Sequence, residues 1–147
     1  MSRILGLDYG EKRMGVALSD ETRTLASGRG VLRKEGIQDA LSTLIRENGI
    51  ELVVLGLPVN MDGSLSQMAA RVRDFGESLI RRFSVRVEYW DERLTSVVAE
   101  SVLREQSIRR SRQRELIDEM SAILILQSYL DGHALKSSDG DSSGSEL

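Results

Sequence analysis

Apolar positions along this chain fall into two rhythms, and their alternation predicts an α/β fold. Ile4-Leu5-Gly6-Leu7 ends on Asp8, the polar turn Tyr9-Gly10-Glu11-Lys12-Arg13 follows, and Met14-Gly15-Val16-Ala17-Leu18 resumes. Two short apolar runs joined by a Gly-containing turn predict a β-hairpin. A third strand is expected within 25–32, where Gly and Ser blur its edges. Ile37, Ala40, Leu41, Leu44 and Ile45 then recur at helical spacing until Asn48-Gly49 stops them. Residues 51–57 form a continuous apolar run after Glu51, which suits a strand buried on both faces, and Pro58 ends it.

A second helix carries Leu65, Met68, Ala69, Val72, Phe75, Gly76, Leu79 and Ile80, with Ser64-x-x-Gln67 as its expected capping box. A fifth strand is predicted over 85–90. Thr95 or Ser96 would cap a helix presenting Val98, Ala99, Val102 and Leu103, and a last helix runs from about residue 115 to 130. The early strands should be antiparallel and the later ones parallel, through right-handed crossovers. If strand 4 adds beside strand 1, the five-stranded mixed sheet has the order 3-2-1-4-5. Its direction of growth reverses between strands 1 and 4, and ligands gather outside the carboxyl ends of strands at such a point.

Composition narrows the chemistry. The chain has 147 residues, no Cys and a single His, His133. Thiolate metal sites, disulfides, His-rich zinc centres and a Ser-His-Asp triad are thereby disfavoured. Residues 1–134 read as one domain, and the Ser/Gly/Asp-rich segment 135–147 is too polar to order itself. The net charge of −3 is misleading. Residues 131–147 hold Asp131, Asp139, Asp141 and Glu146 against Lys136, which leaves 19 basic and 19 acidic groups in residues 1–130. No apolar run approaches the ~20 residues of a membrane span. The first residues lack a signal-peptide layout, so a cytoplasmic setting is expected.

Four carboxylates stand out. Asp8 closes strand 1 and should point where Ile4 and Gly6 point, although an Asp there also starts turns. Asp91 and Glu92 close strand 5 on opposite sides of an extended backbone, or serve as favourable charge before a helix. Asp118 shares a stripe with Ser121, Ala122 and Ile125 in an otherwise apolar helix, where an unpaired carboxylate costs several kcal/mol. Arg114, one turn back, is its ordinary partner. Acids from distant elements meeting at the switch point would repel one another unless a hard cation such as Mg²⁺ or Mn²⁺ held them. Such cations suit phosphodiester hydrolysis.

Basic groups add candidate nucleic-acid contacts: Lys12 and Arg13 in the hairpin turn, and Arg109, Arg110 and Arg112 in a stretch that also holds Arg104 and Arg114 against Glu105. That stretch reads equally as a solvated loop. The loop Gly56-Leu57-Pro58-Val59-Asn60-Met61-Asp62-Gly63, with Asn60 near its centre, offers backbone N–H groups for a phosphate, or is simply a turn before a helix. Tyr89 and Trp90 read as packing residues more than as base-stacking ones.

Together, the stretches from Leu5 to Ala17, from Val54 to Ser64, Asp91-Glu92-Arg93-Leu94-Thr95-Ser96, and Ile117-Asp118 leading to Leu130 resemble one family. It is the YqgF-type (RuvX-like) pre-16S ribosomal RNA nucleases, relatives of Holliday-junction resolvases. The likeness covers nearly all of residues 3–131. Ser121 and Val59 depart from it slightly. The resemblance implies an RNase H-like fold, with Asp8, Glu92 (Asp91 as its alternative) and Asp118 as the catalytic and metal-holding acids. It also implies Mg²⁺ or Mn²⁺ as cofactor, nucleic acid as partner and a monomer or homodimer. The expected activity is metal-dependent processing of the 5′ end of pre-16S ribosomal RNA. Cutting of branched DNA and a non-catalytic RNA-binding role in ribosome assembly are the alternatives.

Overall fold

The computed structural model describes residues 2–60, 62–64, 66–91 and 110–144, with side chains in the last stretch from 114 to 133. Three strands open the chain: β1 (Ile4–Asp8), β2 (Arg13–Ser19) and β3 (Ala26–Arg33). They form an antiparallel meander. α1 (Ile37–Glu47) leads to β4 (Leu52–Leu57), and α2 (Gln67–Phe83) leads to β5 (Arg86–Asp91). β4 runs parallel to both β1 and β5, so the sheet order is β3-β2-β1-β4-β5, as the sequence pattern predicts. The last helix, α3 (Arg110–Gly144), begins earlier and ends later than its apolar pattern marks. The helix expected around Val98–Leu103 lies outside the described residues. No helix among those described is long and apolar enough to cross a membrane.

Side-chain alternation splits the core into two layers. Leu5 and Leu7 of β1, Met14, Val16 and Leu18 of β2, and Val53, Leu55 and Leu57 of β4 face α1 and α2. Ile4, Ala17, Leu52 and Val54 face α3, where they meet Ala122, Ile125, Leu126, Tyr129 and Leu130. β4 is buried along its whole length, the condition its unbroken apolar run anticipates.

Small residues bring α3 close to the sheet. A Cβ on Gly6 would lie 2.7 Å from the Cβ of Leu126. One on Gly15 would collide with the carbonyl oxygen of Asp118, and one on Gly28 with the carboxylate of Glu119. These glycines lie on β1, β2 and β3, so the helix crosses three strands in near contact with their backbones. Polar ties hold it there. Glu119 accepts from the Gly30 N–H at 2.5 Å, Arg33 pairs with Glu115, and Gln127 bonds both the Ala26 N–H and the Thr24 carbonyl. Gly30 sits at φ 77°, where the β2–β3 register slips. The bulge frees its N–H from the ladder for Glu119.

Gly15→Ala should cost roughly 1–3 kcal/mol or more, because backbone and not a flexible tip blocks the added methyl. Gly28→Ala should cost less, since the Glu119 carboxylate can swing aside. Urea midpoints with unchanged slope would check both, and equal midpoints for Gly15→Ala and wild type would contradict this packing.

Candidate active site

β1 ends on Asp8, half-buried at the carboxyl edge of the sheet. Its alternation with Ile4 and Gly6 puts it on the α3 face. Asp8 is the cross-strand partner of Gly15, the residue against which the Asp118 backbone rests. Two carboxylates more than a hundred residues apart in sequence thus share one face and one edge. They do so because a glycine between them lets the helix down onto the sheet.

Asp118 is not paired with Arg114. Its Oδ2 accepts from Nε of Arg13 at 2.5 Å, across 105 positions of sequence. Both side chains are mostly shielded, with 20% of Arg13 and 28% of Asp118 exposed. Burial pushes the Asp118 carboxyl above its ordinary range, Arg13 pulls it down by hydrogen bond and charge, and nearby Glu115 pushes it up again. The net shift is upward. Burial thus outweighs Arg13, and the surroundings favour the neutral acid more than water does. Gly10, Glu11, Lys12, Arg13, Arg114 and Asp118 line an open groove along this edge. Lys12 and Arg114 are exposed in it.

The β4–β5 register reaches Asp91, the first of the two acids that close the fifth strand. Trp90 donates to Ser128 of α3 at 2.9 Å, and Glu88 accepts from Tyr129 of α3 at 2.6 Å, so these two face α3. Tyr89 packs over Gly76 of α2. Asp91, in register with Leu57, follows Tyr89 on the α1/α2 face, away from Asp8 and Asp118. Glu92 lies outside the described residues. Among those described, no three His, Cys, Asp or Glu side chains gather as a metal-holding group.

Asn60 closes its own loop: its N–H bonds the Ser64 carbonyl at 2.8 Å, its carbonyl accepts from Gly63, and Ser64 N–H bonds Asp62. The Asn60, Gly63 and Ser64 N–H groups are thus bonded within the turn. Arg109 lies outside the described residues, as do the side chains of Arg110 and Arg112. Tyr89 and Trp90 pack, the latter edge-on to Tyr129 with centroids 5.5 Å apart. His133 stacks on Tyr129 at 3.9 Å, far from the acids along α3. The capping box is corrected too. Ser66, not Ser64, caps α2, its Oγ accepting from Ala69 N–H at 3.1 Å.

Sequence reasoning did not single out a cavity on the other side of the β1–β2 hairpin. Tyr9, Ile37, Phe75, Lys34 and Gln38 line it, together with Gly10, Glu11 and Arg13. Gln38 borders it, and its Oε1 is buried without a hydrogen-bond partner among the described residues. Such an orphan costs roughly 1–3 kcal/mol. Only the surplus of polar residues beside an amphipathic helix start hinted at it.

A mixed sheet ordered 3-2-1-4-5, with acids at the end of its central strand and on the helix laid across it, is the RNase H-like fold. Solved structures agree. RuvC from Thermus thermophilus superimposes with a TM-score of 0.54 at 12% identity, over 90% of this chain and 96% of that one. RuvC in complex with a Holliday junction substrate does so with 0.53 at 13%, over the same shares. The chain belongs to the RuvX family, whose model, described as Holliday junction resolvase, matches residues 2–132. Relatives bearing the name "Putative pre-16S rRNA nuclease" include one from Syntrophomonas wolfei, 44% identical over 90% of this chain and 96% of its own. Another, from Pelotomaculum thermopropionicum, is 45% identical over 88% and 86%.

Arg13→Gln removes the groups that lower the Asp118 pKa, so the carboxyl should titrate higher still. A folded-state pKa above the unfolded value means that this group's contribution is most favourable below the unfolded pKa. It is lost as pH rises through the folded pKa. The variant should therefore lose stability over a wider acidic range as pH climbs. A carbon-13 titration of the Asp118 carboxyl would check this, and an unmoved midpoint would contradict the pairing.

Proposed function

We propose that this protein is a divalent-metal-dependent nuclease that trims the 5′ end of pre-16S ribosomal RNA in the cytoplasm. The observation that carries the reading is the meeting of Asp8 and Asp118 on one face of the sheet edge, in a chain of the RuvX family. The names of the relatives supply the RNA substrate.

The donor set suits Mg²⁺ or Mn²⁺: carboxylate oxygens, no thiol anywhere in the chain, and one acid already balanced by a cation. Asp8 and Asp118 would hold the ion with Glu92, the third acid that the family resemblance implies. When bound, such an ion neutralises charge on the attacking and leaving oxygens of a phosphodiester. Asp118 would then exchange its bond to Arg13 for the ion. The released guanidinium stands in the groove with Lys12 and Arg114, placed to take the substrate's phosphates.

The family description favours one second reading, resolution of four-way DNA junctions by a dimer. The same acids would serve it, and parallel assays on precursor RNA and junction DNA separate the two.

Asp8→Asn and Asp118→Asn should each lower cleavage by about 100-fold or more, since even groups that only support metal ligands cost 10–100-fold when removed. Glu92→Gln should match them, while Asp91→Asn should cut like wild type. Chelation should stop cleavage and added Mn²⁺ restore it. Full activity of Asp8→Asn, with unaltered circular dichroism, would overturn the assignment.

A further inference from the structure

The cavity beyond the hairpin shares Gly10, Glu11 and Arg13 with the groove that holds Asp118, so the two concavities meet over one turn of chain. Its walls are mixed in a particular way. The Tyr9 and Phe75 rings, 5.0 Å apart and tilted by 45°, and Ile37 supply apolar surface. The exposed Lys34 supplies positive charge, and Arg13, bonded to Asp118, borders it. Glu11, the acid in the lining, is engaged by Arg71. Gln38 adds the buried oxygen without a partner.

We propose that this cavity receives one unstacked nucleobase of the strand whose backbone crosses the acids. Three features point to that occupant. A purely apolar guest would leave Lys34 and the Gln38 oxygen unused. A bare phosphate would leave the aromatic wall unused. A nucleotide uses all three: its flat ring lies against Tyr9, Phe75 and Ile37, and its phosphate meets Lys34. An exocyclic amine on its base then donates to Gln38 Oε1 once the amide turns about its terminal bond. Adenine, cytosine and guanine carry that amine, and uracil does not. Arg13 lies in the lining of both concavities, so a base seated here sets which phosphate of the strand stands over Asp8 and Asp118. The cavity would thus fix the register of cutting.

This inference rests on the nuclease reading of the acids, but its test does not depend on cleavage. Affinities of short oligoribonucleotides are measured by fluorescence anisotropy in EDTA, with wild type, Lys34→Ala, Ile37→Glu and Gln38→Leu. An adenine-bearing strand should bind wild type roughly tenfold tighter than the same strand made abasic. It should also bind about fivefold tighter than the uracil strand, the size of one added hydrogen bond. Ile37→Glu should remove the advantage over the abasic strand, and Gln38→Leu should shrink the advantage over uracil alone. Lys34→Ala, at an exposed position that does not endanger folding, should weaken all strands alike. Equal binding of abasic and base-bearing strands, or base preferences unchanged in Ile37→Glu and Gln38→Leu, would overturn the proposal. Should Asp8→Asn still cut RNA, the assignment of the acids falls while these affinities stand.

Discussion

The close approach of α3 to the sheet is the constraint on which the rest of this molecule depends. A helix resting on ordinary side chains stands about 10 Å from a sheet, on the scale of packed layers. Here Gly6, Gly15 and Gly28 remove the side chains beneath it, so the Asp118 backbone comes down onto Gly15 itself. Gly15 is also the cross-strand partner of Asp8. One missing methyl group therefore lets the Asp118 backbone rest beside the strand position paired with Asp8. The ties from Glu115, Glu119, Gln127 and Ser128 to β3, β5 and the turn before β3 keep the helix from sliding. Groups that must converge on a reacting phosphate are best carried by elements held this rigidly.

That approach creates an electrostatic problem, and the problem is informative. Lowering Asp118 into the interface strips water from it, and Glu115 nearby makes matters worse. Arg13 offsets this by a direct bond from the first residue of β2. The result is a carboxylate that needs a positive neighbour and has one at the lip of an open groove. The surroundings that raise its pKa also strengthen its hold on any cation that displaces the arginine, since water competes less there.

Much of this arrangement was legible in the chain. Continuous burial made β4 recognisable, and the order of elements led to the sheet order and the switch point at β1 and β4. Asp118 stood out as a carboxylate among small and apolar helix positions. Other features were hidden because two residues could fill one role equally well. Ser64 and Ser66 are both good helix caps. Ser64 loses because Asp62 and Asn60 engage it in the preceding turn, while Ser66 reaches both Ala69 and the Pro58 carbonyl. Arg114 and Arg13 were both available to Asp118, and helical spacing favoured the local one. The structure joins the distant one because β2 delivers it to the same edge.

The sequence by itself determined the described strands and helices, their order, the faces of the strands and the acids that stand out as candidates. All of these follow from local periodicity and from the poor fit of charge among apolar neighbours. Tertiary structure alone decided which arginine answers Asp118, that Asp91 turns away with Tyr89, that Ser66 caps α2, and that a mixed cavity opens beside the hairpin. Each of those depends on how far apart packed elements lie, a distance set by side-chain volumes meeting across the interface. No spacing along a single segment records it.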